Sequence, residues 1–182
     1  NTYGPSIMAG LTIANKPELL ANIPLSATGV ACATYTGQNY GAGRMDRVRQ
    51  GAKSAILFAG GMSVIMSLIL YFFGGKIAQI FVDEINTETI NAAHTYLKVI
   101  AIFYFALAVL FVFRNILQGL GKTYVSMIAG VSELVGRVVA ALILSKIFGF
   151  FGVCLASPMA WMCADIPLLI IYYVKVIRKK NG

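Results

Sequence analysis

The chain has 182 residues, of which 58% are hydrophobic and only 12% are charged, and its formal net charge is +8. Soluble globular proteins contain about 45–50% apolar and about 25% charged residues, so this composition excludes an ordinary soluble domain and favours a chain surrounded largely by lipid. A net positive charge of this size would also suit a nucleic-acid-binding protein. The basic residues cluster at the ends of apolar runs, however, so we expect no nucleic-acid partner.

The first long segment, residues 6–37, is less apolar than those that follow it. It carries Lys16, Glu18 and two prolines, Pro17 and Pro24. Proline is tolerated in transmembrane helices where neighbouring groups satisfy the freed backbone atoms. The segment is therefore predicted to be a polar-faced, proline-kinked helix that lines a wet space. Glu18 lies in mid-span with no neutralising partner at helical spacing on its own helix, so it is a candidate for the substrate or ion pathway.

Four strongly apolar runs follow, and each is long enough to cross the hydrocarbon core as a helix, which takes about 20 residues. The sequence therefore predicts an all-α membrane protein. We expect one domain over residues 1–182, with five transmembrane helices at residues 6–37, 55–74, 92–117, 124–144 and 153–174.

The basic residues outside these segments are strongly asymmetric. Nine would lie on one side of the membrane, in residues 39–53, at Lys122 and in the tail from Lys175, against only Lys76 and Lys146 on the other. The outer connection, residues 82–89, instead holds Asp83, Glu84 and Glu88. Basic residues accumulate in cytoplasmic loops. We therefore expect a multi-pass protein of the plasma membrane with a cytoplasmic C-terminus.

Several charged residues fall inside the predicted spans. Because a charge in mid-bilayer costs at least about 2.5–3.5 kcal/mol, such residues face the protein interior or a cavity and are functional candidates. Glu133 and Arg137 are four residues apart and share a helix face in the favourable acid-first order. They either form an internal ion pair that fastens helices together or, with Arg114 or Glu18, gate a cavity or carry a proton.

Other polar residues extend this candidate set. Asp165 lies within the last span, where it could accept hydrogen bonds from a neighbouring helix. Asn115 and Gln118, together with Arg114, form a polar face that either lines a cavity or belongs to an interhelical hydrogen-bond cluster. The three cysteines are far apart or lie inside apolar runs, and the single histidine is His94, so we expect no metal site, no cofactor and no catalytic residue, that is, no enzyme.

A glycine-rich run closes the first predicted helix and consists of Gly37, Gln38, Asn39, Tyr40, Gly41, Ala42 and Gly43. It is a poor phosphate loop because it follows no strand and lacks the Gly-Lys-Ser/Thr ending. The run resembles a signature of the multidrug and toxic compound extrusion (MATE) family, a Gln-Asn-x-Gly-Ala-Gly type of motif. The resemblance extends through KPELLANIPLSATGVACATYTGQNYGAG, FRNILQGLGKT, GVSELVGRVVAALIL and SPMAWMCADIPLLIIYY.

The resemblance implies an exporter of twelve helices in two six-helix lobes, in which this chain supplies helices eight to twelve and an N-terminal lobe is missing. Such exporters move small organic compounds, mostly cationic or amphipathic, in exchange for Na⁺ or H⁺. One branch of the family has an acid in the tenth helix, where residues 101–113 here have none. The other branch relies on an aspartate in the first helix, outside this chain. Glu18 is the acid nearest a family position, and Pro17 beside it is a departure from the family.

Two alternatives remain open. A lipid-linked oligosaccharide flippase of the same superfamily would share the lobe architecture, but it would favour a strongly basic cavity. A non-transporting membrane scaffold would tolerate neutralisation of every intramembrane charge.

Overall fold

A computed structural model describes residues 4–82 and 86–178. Over these residues the chain forms six α-helices and a terminal π-helical turn: α1 Gly4–Gly41, α2 Met45–Gln79, α3 Thr87–Ile102, α4 Tyr104–Gly119, α5 Thr123–Phe148, α6 Phe150–Tyr172 and the π-helical turn Tyr173–Ile177. Asp83 and Glu84 of the outer connection, and Lys179 and Lys180 of the tail, lie outside the described residues.

Helix α1 is unusually long and contains both Pro17 and Pro24 without interruption. A proline within a helix lacks the N–H that would bond to the carbonyl four residues earlier. Three threonine hydroxyls of α1 bond to carbonyls four residues earlier, among them Thr28, whose Oγ1 donates to Pro24 O at 2.8 Å. Pro17 itself is buried. The helix nevertheless continues through both prolines to the glycine-rich run.

The span predicted for residues 92–117 is not continuous. It is divided into α3 and α4, which meet at Phe103 with a bend of 57°. Carbonyl groups in the last turn of a helix lack hydrogen-bond partners within the helix. At the end of α3, the hydroxyl of Ser67 on α2 donates a hydrogen bond to Ala101 O at 2.6 Å. No proline or glycine marks the break, and the partner lies on another helix, which explains why the sequence pattern did not predict it.

The helices pack as two groups. Helix α1 lies against α2, α3 and α4, while α5 and α6 form a hairpin whose α6 contacts α4 and α3. Small residues allow the close approaches: a Cβ at Gly10 would lie 2.6 Å from Thr89 O, and one at Gly119 would lie 2.5 Å from Ala33 O. Buried tyrosine and aliphatic side chains of α3 and α4, including Tyr104, fill the centre. The interior of the bundle is therefore built around the bent pair.

The helices differ in whether they are long and apolar enough to cross a membrane. Helices α2, α5 and α6 with its π-helical turn are long and apolar enough to cross a membrane, and the bent pair α3–α4 would make a fourth span. Helix α1 is not among them, because Lys16, Glu18 and several amides lower its hydropathy. Large aliphatic and aromatic residues cover the outside of α2 and α5. The expectation of five spans stays a prediction.

Contacts between distant segments show which helix ends lie together. Arg49 at the start of α2 donates from Nε to Val176 O in the π-helical turn at 2.8 Å. A Cβ at Gly37, near the end of α1, would lie 3.5 Å from Gly119 O at the end of α4. The α1–α2 turn, the α4–α5 turn and the C-terminal turn thus share one end of the bundle, as the predicted topology requires.

Candidate functional site

Glu133 of α5 joins two arginines. Its Oε1 accepts from Arg137 Nη2 at 3.0 Å, and its Oε2 accepts from Arg114 Nη2 of α4 at 3.1 Å. The predicted Glu133–Arg137 ion pair is therefore present, with Arg114 as a third member that links α4 to α5. The side chains of Glu133 and Arg114 are 23% and 25% exposed, against 48% for Arg137. The bond to Arg114 is the better buried of the two.

Arg114 also faces a second acid. Asp165 of α6 is buried, with 8% of its surface exposed, and it lies near enough for the positive charge of Arg114 to act on it. Among the described residues, Asp165 Oδ1 and Arg114 Nε are buried without a hydrogen-bond partner. Buried polar atoms of this kind are rare in native proteins and often mark a bound ion, a water or a functional role. The suggestion that Asp165 accepts hydrogen bonds from a neighbouring helix has no support at this oxygen.

Glu18 has a partner that the sequence pattern did not predict. Its Oε2 accepts a hydrogen bond at 3.0 Å from the hydroxyl of Tyr96 on α3, and the charge of Arg137 acts on it from α5. One turn further along α1, Asn22 Oδ1 accepts from the hydroxyl of Tyr104. Both tyrosines are buried in the bent pair α3–α4. They differ from other buried aromatic residues only in that their hydroxyl groups donate to polar side chains of α1. No sequence signal identified them.

Five predicted candidates thus form a series across four helices in the alternating order Glu18, Arg137, Glu133, Arg114 and Asp165. The three inner residues are joined by hydrogen bonds, whereas the two outer acids interact with the neighbouring arginines through charge alone. Three are acids and two are bases, contributed by α1, α4, α5 and α6. The arrangement offers one more acid than base, and its two terminal acids have no direct bond to a cation. We call these five residues the charged cluster. No group of three or more His, Cys, Asp or Glu side chains among residues 4–82 and 86–178 is placed to hold a metal ion.

The other two polar candidates of α4 make local bonds. Asn115 Nδ2 donates to Phe111 O of its own helix at 2.8 Å and packs against Gly29 of α1. Gln118 Nε2 donates to Ser126 Oγ of α5 at 2.9 Å. The bond of Asn115 stays within α4 and only that of Gln118 reaches another helix, so both interpretations of this face remain predictions.

The glycine-rich run ends α1 as a backbone turn. Gly43 has a φ of +69°, a conformation that favours glycine, while Ala42 N donates to Gln38 O at 3.1 Å. Asn39 Nδ2 donates to Tyr35 O at 2.8 Å. Gly37 faces α4, and a Cβ at Gly41 would meet no atom within 4 Å. Beyond the turn, the guanidinium of Arg44 lowers the pKa of the Asp46 carboxyl to about 2.

A cavity of about 690 Å³ lies between the second half of α1 and the first half of α2. None of the predicted site residues lines it. Its wall combines small, hydroxyl and aromatic side chains, namely Ala27, Thr28, Ala31, Cys32, Tyr35, Thr36, Gln50, Gly51, Ser54, Ala55, Phe58 and Ile116. Because none of these residues is charged, no intramembrane charge in the sequence marks this cavity as a candidate site.

Comparison with known proteins gives a consistent assignment. A family model described as MatE matches residues 1–143. The chain is 26% identical over 121 residues to the "Probable multidrug resistance protein YpnP" of Bacillus subtilis (strain 168), a match that covers 66% of this chain and 27% of that protein. It is 31% identical over 121 residues to the "Probable multidrug resistance protein NorM" of Pasteurella multocida (strain Pm70), covering 66% of this chain and 25% of that protein.

Solved structures share the fold. The chain matches one described as "Crystal structure of MATE in the bent conformation" with a TM-score of 0.83 and 19% identity, over 98% of this chain and 39% of that chain. It matches a second, described as "Inward-facing conformation of a multidrug resistance MATE family transporter of the MOP superfamily", with a TM-score of 0.83 and 19% identity, over 94% of this chain and 39% of that chain. The chain therefore spans about a quarter of the length of the curated relatives it matches.

Proposed function

Because this chain belongs to the MatE family, we propose that it forms most of the C-terminal lobe of a multidrug exporter that works by exchange with Na⁺ or H⁺. The relatives named above, whose names refer to multidrug resistance, support export as the activity of the whole protein. Its substrates are small organic compounds, cationic or amphipathic, and its partners are the lipid bilayer of the plasma membrane and an N-terminal lobe outside this chain.

The observation that carries the ion-exchange part of the proposal is the charged cluster. Charged residues within a membrane protein mark ion and proton pathways, and here alternating acids and bases are contributed by four helices. Glu18 ends the cluster on α1, where its bond from Tyr96 can be exchanged for a bond to a proton or a cation. Asp165 ends it on α6 with a free oxygen atom.

The same observation bears on the two alternatives. A pyrophosphate-linked substrate would require an excess of positive charge, whereas acids outnumber bases in the charged cluster and the cavity lining is uncharged. A scaffold would gain nothing from an acid such as Asp165 that is buried with an unbonded oxygen. Both features favour export over the flippase and the scaffold.

Efflux from proteoliposomes tests the proposal. The whole transporter would be reconstituted, loaded with a fluorescent lipophilic cation, and given either an inward Na⁺ or an inward H⁺ gradient. We expect efflux with one of the two gradients. Glu18→Gln, which keeps the shape of the side chain and removes its charge, should lower the rate at least about tenfold and flatten its dependence on the driving ion, as expected for loss of a proton-exchanging group.

Glu88→Gln is the matched control, because it removes the same charge from an exposed position in the first turn of α3. It should leave efflux unchanged. Efflux under neither gradient would refute export. Unchanged rates and ion dependence in Glu18→Gln, Glu133→Gln and Asp165→Asn, with normal folding, would refute coupling through this lobe.

A further inference from the structure

The cavity between α1 and α2 lies one helical turn from Arg47, a basic residue that forms no ion pair with the residues that the structure describes. On α2 the lining residues Gly51, Ser54 and Phe58 follow one another at spacings of three and four, so they form a single stripe along the helix. Arg47 is four residues before Gly51 and therefore extends the same stripe by one turn. Its side chain is exposed, and the ion pairs formed by the described residues do not include it.

The facing side of α1 ends in neutral polar groups. Tyr35 lines the cavity and packs against Gly51, where the tyrosine ring leaves no room for a Cβ. Gln38 and Asn39, which follow Tyr35 by three and four residues, continue this face of α1 towards the turn. The twelve cavity-lining residues given above define the α1–α2 groove, and none of them is charged. Helical spacing places Arg47 and the two amides one turn beyond this lining, towards the α1–α2 turn.

This polarity decides the chemistry of the occupant. The groove has no acid in its lining and a guanidinium at its end, which disfavours an organic cation and favours a molecule with an apolar body and an anionic head. Its volume of about 690 Å³ lies within the usual range for small-molecule sites, about 300–1,000 Å³. A membrane supplies such molecules in excess, and clusters of Lys and Arg next to a transmembrane helix attract anionic lipid headgroups.

We propose that the α1–α2 groove binds one anionic phospholipid, with an acyl chain between Tyr35 and Phe58 and the phosphate at Arg47. Arg47 thereby differs from its basic neighbours. Arg44 is paired with Asp46, and Arg49 is turned inward to Val176 O. Lys53 lies on another face of α2. Because successive residues of an α-helix are rotated by about 100°, Lys53 is about a third of a turn away from the stripe formed by Gly51, Ser54 and Phe58.

Native mass spectrometry of the whole transporter tests this site. The protein would be purified in detergent micelles containing equal amounts of phosphatidylglycerol and phosphatidylcholine, and the lipids that stay bound would be counted. We expect one retained phosphatidylglycerol. Arg47→Gln should lower the preference for phosphatidylglycerol about fivefold, the factor that corresponds to one basic residue near anionic lipid. Lys53→Gln, which removes the same charge from another face of α2, should leave it unchanged.

A second variant addresses the groove itself. Ala31→Trp fills the groove from an exposed position of α1 and should abolish retention of the lipid while Arg47 is still present. Equal retention of both lipids by the unaltered protein would overturn the proposal, as would equal losses in Arg47→Gln and Lys53→Gln, which would indicate unspecific surface charge. Displacement of the phospholipid by a transported organic cation would instead assign the groove to the substrate.

Discussion

Glu133 is the residue on which the charged cluster depends, because it is the only acid in direct contact with both arginines among the described residues. Glu133→Gln would leave two guanidinium groups without their carboxylate. Removal of one partner from a fully buried ion pair costs about 3–5 kcal/mol. Because about a quarter of the Glu133 and Arg114 side chains is exposed, we expect a smaller loss in the free energy of unfolding, about 1–3 kcal/mol. Chemical denaturation of the purified protein in detergent micelles would measure it.

The double and triple variants distinguish a pair from a triad. If Glu133 bonded to Arg137 alone, Glu133→Gln combined with Arg137→Gln would restore stability. Because Arg114 also depends on Glu133, we expect the double variant to stay unstable and an added Arg114→Gln to recover only part of the loss, since Asp165 then loses its nearby positive charge. Arg137→Gln alone should cost less than about 1 kcal/mol, as its side chain is half exposed. A double variant as stable as the unaltered protein would contradict the role given to Arg114.

For individual residues, the sequence predicts contacts within one helix but not contacts between different helices. Glu133 and Arg137 are found from their spacing alone, because residues four apart meet on a helix surface. The bonds from Arg114 to Glu133 and from Tyr96 to Glu18 join residues 19 and 78 positions apart. Only the packing of α3 and α4 against their neighbours brings them together.

The contact between α1 and α4 depends on the absence of a side chain at Gly119. A Cβ there would lie 2.5 Å from Ala33 O and 2.9 Å from Thr36 Cβ, and a backbone oxygen cannot move aside as the end of a flexible side chain can. Gly119→Ala should therefore destabilise the protein by about 1–3 kcal/mol, the usual cost of overpacking. Thermal unfolding in detergent would show a lower midpoint.

Gly61 of α2 is the matched control for this substitution. A Cβ at Gly61 would meet no atom within 4 Å, so Gly61→Ala should raise stability by about 0.5–1 kcal/mol through the reduced conformational freedom of the unfolded chain. Equal effects of the two substitutions would show that helix propensity, and not close packing, decides the role of Gly119.

The break at Phe103 shows a limit of prediction from sequence at the scale of the element. Residues 92–117 form an unbroken apolar run, and such a run is typical of one straight span. The bend is stabilised by Ser67 on α2, whose hydroxyl satisfies Ala101 O. Ser67→Ala should cost about 1–3 kcal/mol, since it leaves that carbonyl unsatisfied in the interior. An unchanged unfolding free energy, measured by denaturant titration, would show that the bend does not depend on this bond.

The predicted orientation of the whole molecule in the membrane rests on the positions of its basic residues and on contacts between its helix ends. The structure brings the α1–α2 turn, the α4–α5 turn and the C-terminal turn to one end of the bundle, and most of the basic residues outside the predicted spans belong to these segments. The grouping of the turns comes from the fold, whereas the side of the membrane follows only from the tendency of Lys and Arg to stay in the cytoplasm.

Labelling of single cysteines would test the orientation. In a variant whose native Cys32, Cys154 and Cys163 are replaced by alanine, Lys122→Cys in the α4–α5 turn and Thr87→Cys at the start of α3 place one thiol at each end of the bundle. We expect an impermeant maleimide to label Thr87→Cys in intact cells and to label Lys122→Cys only after the membrane is opened. The reverse pattern would invert the topology. Labelling of both positions in intact cells would mean that α3–α4 does not cross the membrane, and the 57° bend at Phe103 would then belong to a re-entrant loop.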